Sequence, residues 1–440
     1  MRHAQDLIGD CGHVTVCIAD HYGRLIGKTR LASDWPRLLV DGLDMPDFHL
    51  ICGVEGRPLE GFSASGARHG FRNGRLVPDP EAAFLSPNEE ATAIVVADAA
   101  DIGGASVPEA PRSVLKVQIA RLAAAGLAAR IASELEFHLL AVPYAALAEG
   151  AGRLQPYYHR HGDNDVLVTS LFAPFCRDLA RHLDAAGMPA EQIQGEGGRG
   201  QIEVNLSPAA PLMAADRHVA FKHIVKALAH QHGHAATFMS RLNADDVGSG
   251  GHIHLSLQDR DGKNALGNAN GLTDRGCGFL AGILAFAPDL TLMHAPLANS
   301  YKRLVPRSFT PLAASWGHDN RTALVRLVKG SGGVRLEFRL PGADVNPYHA
   351  YAALIGAGLA GIDAGLVPGD EKRGAEEPAD ALGLPADLTE AIARFAASEL
   401  ARDAFGEDVH LHILTHARHE LAATRRAVTD WEIIRGLERA

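Results

Sequence analysis

Four short segments alternate apolar residues with side chains that bind metals or phosphates. They are Ser133-Glu134-Leu135-Glu136-Phe137, Gln201-Ile202-Glu203-Val204, Gly251-His252-Ile253-His254-Leu255-Ser256 and Arg335-Leu336-Glu337-Phe338-Arg339. In a β-strand, residues i and i+2 point to the same side. Glu134 and Glu136 therefore share a face, as do His252, His254 and Ser256, and so do Arg335, Glu337 and Arg339. Leu, Ile and Phe occupy the opposite faces. Carboxylates gathered on a sheet with an apolar back are costly unless something cationic neutralises them. The pattern points to a multi-metal site for an anion. Alone, Glu134 and Glu136 would read as an exposed strand edge, and His252 and His254 as ordinary core or surface histidines. Their occurrence together favours a site.

Elements must position these strands. Residues 1–107 are rich in Gly, Pro and Asp and carry short β-like runs such as Val14-Thr15-Val16-Cys17-Ile18-Ala19 and Ala93-Ile94-Val95-Val96-Ala97. They read as a small, mainly β domain. The character changes at Pro111-Arg112, where residues 113–125 place apolar side chains at helical spacing and Gly126 ends the run. Further helices are predicted over 167–187, 213–232, 274–288, 346–363, 386–399 and 408–427, with strands between several of them. Residues 108–440 thus read as α+β, with helices grouped around a mostly antiparallel sheet. Residues 368–378 are expected to form an exposed loop. Asn268-Ala269-Asn270-Gly271 reads as a turn, and His230, His232 and His234 mark a helix end at Gly233 more readily than a metal site.

The chain has 440 residues, enough for a large core in two or three domains. Its net charge of −10 argues against a nucleic-acid partner. No apolar run reaches the roughly eighteen residues that a membrane span needs, and the start lacks a signal-peptide core. Cys11, Cys17, Cys52, Cys176 and Cys277 are odd in number and lack C-x-x-C spacing. That favours free thiols in a reducing cytoplasm.

Taken in order, the motifs resemble the glutamine synthetase family. Besides the strands above they include Gly195-Glu196-Gly197-Gly198-Arg199-Gly200-Gln201-Ile202-Glu203, Gly248-Ser249-Gly250-Gly251-His252-Ile253-His254 and Asn299-Ser300-Tyr301-Lys302-Arg303-Leu304-Val305-Pro306. Asp319-Asn320-Arg321-Thr322, Asn346-Pro347-Tyr348 and Thr429-Asp430-Trp431-Glu432 complete the set. The resemblance implies an N-terminal β-grasp domain (1–107) and a catalytic domain (108–440) with a curved antiparallel sheet. It also implies a homo-oligomer of stacked rings, a dodecamer, with active sites between subunits.

The resemblance further implies residue roles. One divalent metal would be held by Glu136, Glu196 and Glu203, and a second by Glu134, His252 and Glu337. A donor set dominated by carboxylates suits two or three Mg²⁺ or Mn²⁺ ions shared with substrate phosphates better than structural zinc. His254 and Ser256 match nucleotide contacts and Arg335 an ATP-phosphate contact. Arg321 and Arg326, with Arg339, match catalytic arginines. Arg303 and Arg339 match those that grip the acid substrate, with Gly248 beside them. The implied reaction joins a γ-carboxylate, activated by ATP as an acyl phosphate, to an amine.

Two departures bear on that amine. Where glutamine synthetases carry Gly-Tyr-Glu-Ala-Pro, this chain reads Arg307-Ser308-Phe309-Thr310-Pro311, so Phe309 stands at the glutamate that binds ammonium. Phe62-Ser63-Ala64-Ser65 is the nearest equivalent of Phe-Asp-Gly-Ser-Ser, so Ser63 replaces an aspartate given by the neighbouring subunit. A charge-assisted hydrogen bond to ammonium contributes roughly 1.5–3 kcal/mol, and burying an apolar group against Phe309 returns about the same. The expected activity is a glutamate–amine ligase that makes γ-glutamylamides. The alternatives are glutamine synthetase itself and a non-catalytic relative. Val247, where Asn is frequent, bears on the acid, with glutamate or a close analogue expected. Residues 379–385 contain no tyrosine, so adenylylation there is not expected.

Overall fold

The apolar–polar alternation builds two large sheets. The computed structural model describes residues 1–87, 92–148, 154–268, 271–306, 308–330 and 333–439. The first sheet comprises β1 (His13–Ala19), β2 (Leu25–Leu31), β3 (Leu43–Pro46), β4 (Asn73–Leu85) and β5 (Thr92–Ala100) in the order β2-β1-β5-β4-β3. Its pairings are antiparallel except for β1 with β5. Both faces are covered. Val14, Val16, Val95 and Leu76 pack with Trp35 and Leu38 of a short helix on one side. Cys17, Phe84, Ile94 and Val96 pack on the other side against the back of the second sheet.

The second sheet holds β6 (Ala128–Leu140), β7 (Ala190–Gly195), β8 (Gln201–Leu206), β9 (Ala235–Thr237) and β10 (Gly251–Gln258). Two small pairings follow. One joins β11 (Gly267–Asn268) to β12 (Gly271–Leu272), and the other joins β13 (Ala313–Ala314) to β17 (Leu382–Gly383). β14 (Trp316–His318), β15 (Val325–Gly330) and β16 (Gly333–Phe338) complete the large sheet in the order β14-β15-β16-β10-β6-β8-β7, with β9 paired to β6. Only β14 and β15 run parallel. The expected turn after Asn268 falls where these short strands meet, and its Ala269 and Asn270 lie outside the described residues.

The back of this sheet presents Leu135, Phe137, Ile202, Val204, Ile253 and Leu255 to two continuous apolar cores. Helices Pro111–Ala124, Pro211–Gln231, Asp274–His294, Pro347–Asp363, Leu388–Ala397 and Glu407–Arg426 agree with the expected ones to within a few residues, with one exception. Asp274–His294 runs on past Pro288 to His294, because Leu290, Leu292 and Met293 continue its buried side. It crosses Pro347–Asp363 closely; a Cβ on Gly282 would stand 2.2 Å from the Ala357 carbonyl. By length and composition alone this helix could cross a membrane, which corrects the expectation that no such run exists, but its apolar window is 78% buried within the protein. The expected helix over 167–187 divides into Val166–Leu171 and Ala173–Ala185, with Pro174 opening the second.

The loop over 368–378 is mostly exposed as expected, with Pro368, Glu371 and Pro378 half-buried and Lys372 buried, its ammonium donating to the Thr322 carbonyl. His232 caps a helix and pairs with Asp178 at 3.0 Å, so the 230–234 histidines are a helix end. All five cysteines are free.

Arg112 ties the first sheet to the helices that cover the second. Its buried guanidinium donates to Asp79 on β4 (2.6 Å), Asp98 on β5 (2.8 Å) and Asp216 of helix Pro211–Gln231 (2.8 Å). Breaking such a buried pair leaves an uncompensated charge and costs about 3–5 kcal/mol. Arg112→Met is therefore expected to destabilise the protein by about that amount in chemical denaturation. Arg37→Met removes only the exposed 3.1 Å pair with Asp41 and should change far less. Equal effects would refute the role given to Arg112.

Candidate active site

Strand register brings the polar faces into contact. Glu134 on β6 lies opposite His252 on β10, and Glu136 lies opposite Glu203 on β8. A second row runs from Arg326 on β15 through Glu337 on β16 to His254 on β10. These residues line one cleft of about 1190 Å³ together with Glu196, Gly248, Ser256, Arg303, Phe309, Arg321, Arg335 and Arg339. The exception is Ser63, which lies exposed on the 60–66 loop, outside the cleft of its own chain.

One half of the cleft is a charge-matched network. Glu134 accepts from His252 Nδ1 (2.7 Å) and His254 Nε2 (3.0 Å). His252 Nε2 in turn accepts from Arg303 Nη2 at 3.2 Å, and His254 Nδ1 from Arg335 Nε at 3.4 Å. The His252 ring, donating at Nδ1 and accepting at Nε2, is thereby set as a neutral tautomer. Burial, then the Arg339 charge, lowers His252 to about 4. Glu337 accepts from Arg326 Nη1 at 2.7 Å and from Arg339. Burial works against ionising Glu337, but Arg339 holds it below the ordinary carboxylate range. Burial likewise opposes ionisation of Glu134, and the hydrogen bonds from His252 and His254 override it.

The other half is short of cations. Glu136 accepts from Gln201 Nε2 (2.9 Å) and the Gly250 amide (2.8 Å). Burial, then the Glu196 charge, pushes Glu136 up to about 7. Glu203 is raised by burial and by Glu134, Glu196 and Glu136 around it. Gln194 Nε2 bridges Glu196 (3.1 Å) and Glu203 (3.2 Å), and Asn205 Nδ2 also donates to Glu203 (2.9 Å). Sequence reasoning overlooked Gln194, Gln201 and Asn205. The available signal was the same period-two spacing, since Gln194 follows Gln192 on β7 and Asn205 follows Glu203 on β8.

The loops hold the remaining groups close. A Cβ on Gly248 would meet Arg303 Cγ at 2.7 Å, and one on Gly250 would meet Glu136 Oε1 and His252 Nε2 at 2.8 Å each. Arg303 is buried, its pKa lowered to about 10 by burial, and its Nη1 donates to the Leu340 carbonyl at 3.1 Å. Phe309 is 69% exposed at the cleft, so it is not a core aromatic. Val247 is also half-exposed there. Arg307 lies outside the described residues.

The donor atoms fit divalent cations. Glu134, His252 and Glu337 each offer one ligand atom within 4.8 Å of the others, a set of hard oxygens with one imidazole. The glutamine synthetase catalytic-domain family matches residues 108–435. This chain belongs to the glutamine synthetase family. It is 37% identical over 439 residues to a γ-glutamylethanolamide synthetase of Streptomyces coelicolor, covering 99% of this chain and 95% of that one. It is 31% identical to a glutamate–isopropylamine ligase of a Pseudomonas species, over 91% of this chain and 89% of the relative. A solved GmaS–ADP complex superposes with a TM-score of 0.86 at 28% identity, covering 99% of this chain and 98% of the other. Six of the eight family motifs contribute residues to this cleft, and Asn346-Pro347-Tyr348 and Thr429-Asp430-Trp431-Glu432 do not.

The raised Glu136 carries a consequence for stability. Its native pKa of about 7 lies above the ordinary 4.5, so the native state holds a proton that the unfolded chain releases. That contribution is complete below pH 4.5 and is lost as pH rises through about 7. The size is on the order of 3 kcal/mol. With chelator present, Tm should fall between pH 5 and 7.5, and excess Mg²⁺ or Mn²⁺ should reverse the fall. A Tm that rises over that range in chelator would contradict the assignment.

Proposed function

We propose that this protein is an ATP-dependent ligase that joins the γ-carboxylate of glutamate, or a close analogue, to an organic amine. A carboxylate oxygen attacks the γ-phosphorus of ATP and ADP leaves, giving a γ-glutamyl phosphate. The amine nitrogen then attacks the acyl carbon, phosphate leaves, and the nitrogen loses a proton. Phosphoryl transfer of this kind depends mainly on positioning and charge stabilisation.

Arg303 and Arg339 grip the acid with planar guanidinium forks. Arg321, Arg326 and Arg335 face the transferring phosphate, and His254 and Ser256 orient the nucleotide. Glu136, Glu196 and Glu203 would hold one Mg²⁺ or Mn²⁺, and Glu134, His252 and Glu337 another. Bound cations would supply charge neutralisation at the phosphate oxygens.

Phe309 carries the choice of amine. An exposed aromatic at the cleft, where glutamine synthetases carry an ammonium-binding glutamate, offers surface for carbon and no carboxylate to accept a hydrogen bond from ammonium. The names of the Streptomyces and Pseudomonas relatives support the same reading. The five-stranded sheet is a β-grasp domain, with the boundary near residue 107, and an apolar core drawn only from residues 4–110 supports that division. Ser63 completes the cleft of a neighbouring subunit within a ring-shaped cytoplasmic homo-oligomer, a dodecamer, and its exposure outside its own cleft supports that role.

Phosphate release with ATP, glutamate and a panel of amines tests the reading. Alkyl or aryl amines should give a kcat/KM well above ammonium, and Phe309→Glu should shift the ratio toward ammonium by roughly ten- to hundredfold. Equal or better turnover of ammonium by the native enzyme would refute it. Arg326→Ala removes a donor aimed at the phosphate and should lower kcat by about 10²–10³ with KM for the amine little changed. A change confined to the amine KM would move Arg326 out of the phosphate site.

A further inference from the structure

A second cluster of metal-ligating side chains lies away from the cleft. His21 sits in the turn between β1 and β2, and His412 and His416 stand one helical turn apart on Glu407–Arg426. Each offers one ring nitrogen within 4.8 Å of the others. An i, i+4 histidine pair on one helix face is a spacing that allows two imidazoles to chelate one ion. His349, on helix Pro347–Asp363, packs beside them with its ring 5.2 Å from His21. All four are at least 94% buried.

The cluster contains ring nitrogens that the fold does not satisfy. His21 Nδ1, His416 Nδ1 and His349 Nε2 are buried without a hydrogen-bond partner. Buried polar atoms are nearly always paired, and exceptions often mark an ion or water. His416 Nε2 lies 3.1 Å from the Leu50 carbonyl. Donating there leaves the lone pair on Nδ1, the tautomer that a metal-binding histidine takes when a carbonyl holds its other nitrogen. Burial depresses all four imidazoles, so they stand neutral and ready to ligate.

We propose that His21, His412 and His416 form a second metal site, distinct from the carboxylate cleft, that takes a borderline divalent cation such as Zn²⁺, with His349 as the fourth donor. Imidazole donors without carboxylates select Zn²⁺-like ions over Mg²⁺ or Mn²⁺. Chelation splays the His21–His416 stack, whose rings lie 3.7 Å apart. Glu420 stands one turn beyond His416, and Asp20 beside His21 is paired with Arg24 at 2.7 Å; both carboxylates and Arg24 are felt at Tyr22 next to the cluster. The ion clamps the β1–β2 turn of the first sheet onto helix Glu407–Arg426. Phe62, packed on His412 and His416 with ring centroids 4.9 and 4.7 Å away, links the clamp to the loop that carries Ser63.

Zn²⁺ retention by the full-length protein tests this. Chelator-treated enzyme is loaded with Zn²⁺, dialysed against excess Mg²⁺ to clear the cleft, and analysed for bound metal. One Zn²⁺ per chain should remain, with a Tm rise of roughly a few degrees. His416→Phe should lose that ion and His252→Asn should keep it. No retained Zn²⁺, or retention lost in His252→Asn and kept in His416→Phe, overturns the proposal. If His416→Phe fails to fold, Co²⁺ bound to His252→Asn in excess Mg²⁺ decides. The intense visible band of four-coordinate Co²⁺ supports the site, and only the weak six-coordinate spectrum refutes it.

Discussion

Repulsion among carboxylates on one sheet face is the constraint that the rest of the cleft answers. Two like charges about 4 Å apart repel by about 4 kcal/mol at an effective dielectric near 20. Glu134, Glu136, Glu196, Glu203 and Glu337 converge on that face. The chain answers the repulsion in two ways. Glu134 and Glu337 receive histidine and arginine donors and stay ionised. Glu136 and Glu203 receive mainly amide donors and are driven toward the neutral acid. The protein alone completes one half of the cleft, while the other half gains most from added cations.

That arrangement exists only in one strand register. A slip of one residue in β6 or β10 would turn Glu134 or His252 into the core and bring Leu135 or Ile253 out. The apolar back enforces the register, because Leu135, Phe137, Ile253 and Leu255 have no other place to bury. Arg112 then locks the outer sheet onto this frame through Asp79, Asp98 and Asp216. The core that sets the register and the ion network that docks the sheets support one another. Phe84, Ile94 and Val96 reach the same apolar cluster as Phe137 and Ile202.

The sequence disclosed most of this because period-two alternation is a strong signal where every second residue is charged. Fifteen of the sixteen site residues singled out line the cleft, and Ser63 is the exception. The amide residues were less legible. Gln194, Gln201 and Asn205 carry no charge, so spacing alone does not separate a carboxylate's partner from a surface amide. The division of helix 167–187 at Phe172 and the passage of Asp274–His294 through Pro288 were also misread. At 172–174 the proline rule held and Pro174 opens a new helix, whereas at Pro288 tertiary burial overrode it. The imidazole cluster was invisible because its members come from residues 21, 349, 412 and 416, and only the fold brings them together.

Activation and acceptance are built on different kinds of structure. The carboxylates, histidines and arginines of the cleft mostly stand on paired strands, where a neighbour's register limits each side chain to one orientation. Charge on a transferring phosphate requires that precision, since misplacement by an ångström removes most of an electrostatic effect. Phe309 and Val247, by contrast, lie on loops of the cleft and are partly exposed. A loop residue can change from glutamate to phenylalanine without disturbing the sheet, because nothing in the register depends on it. The same carboxylate chemistry can therefore be kept while the nucleophile changes. A site that must exclude ammonium needs only to withdraw one anion from the loop and offer carbon in its place.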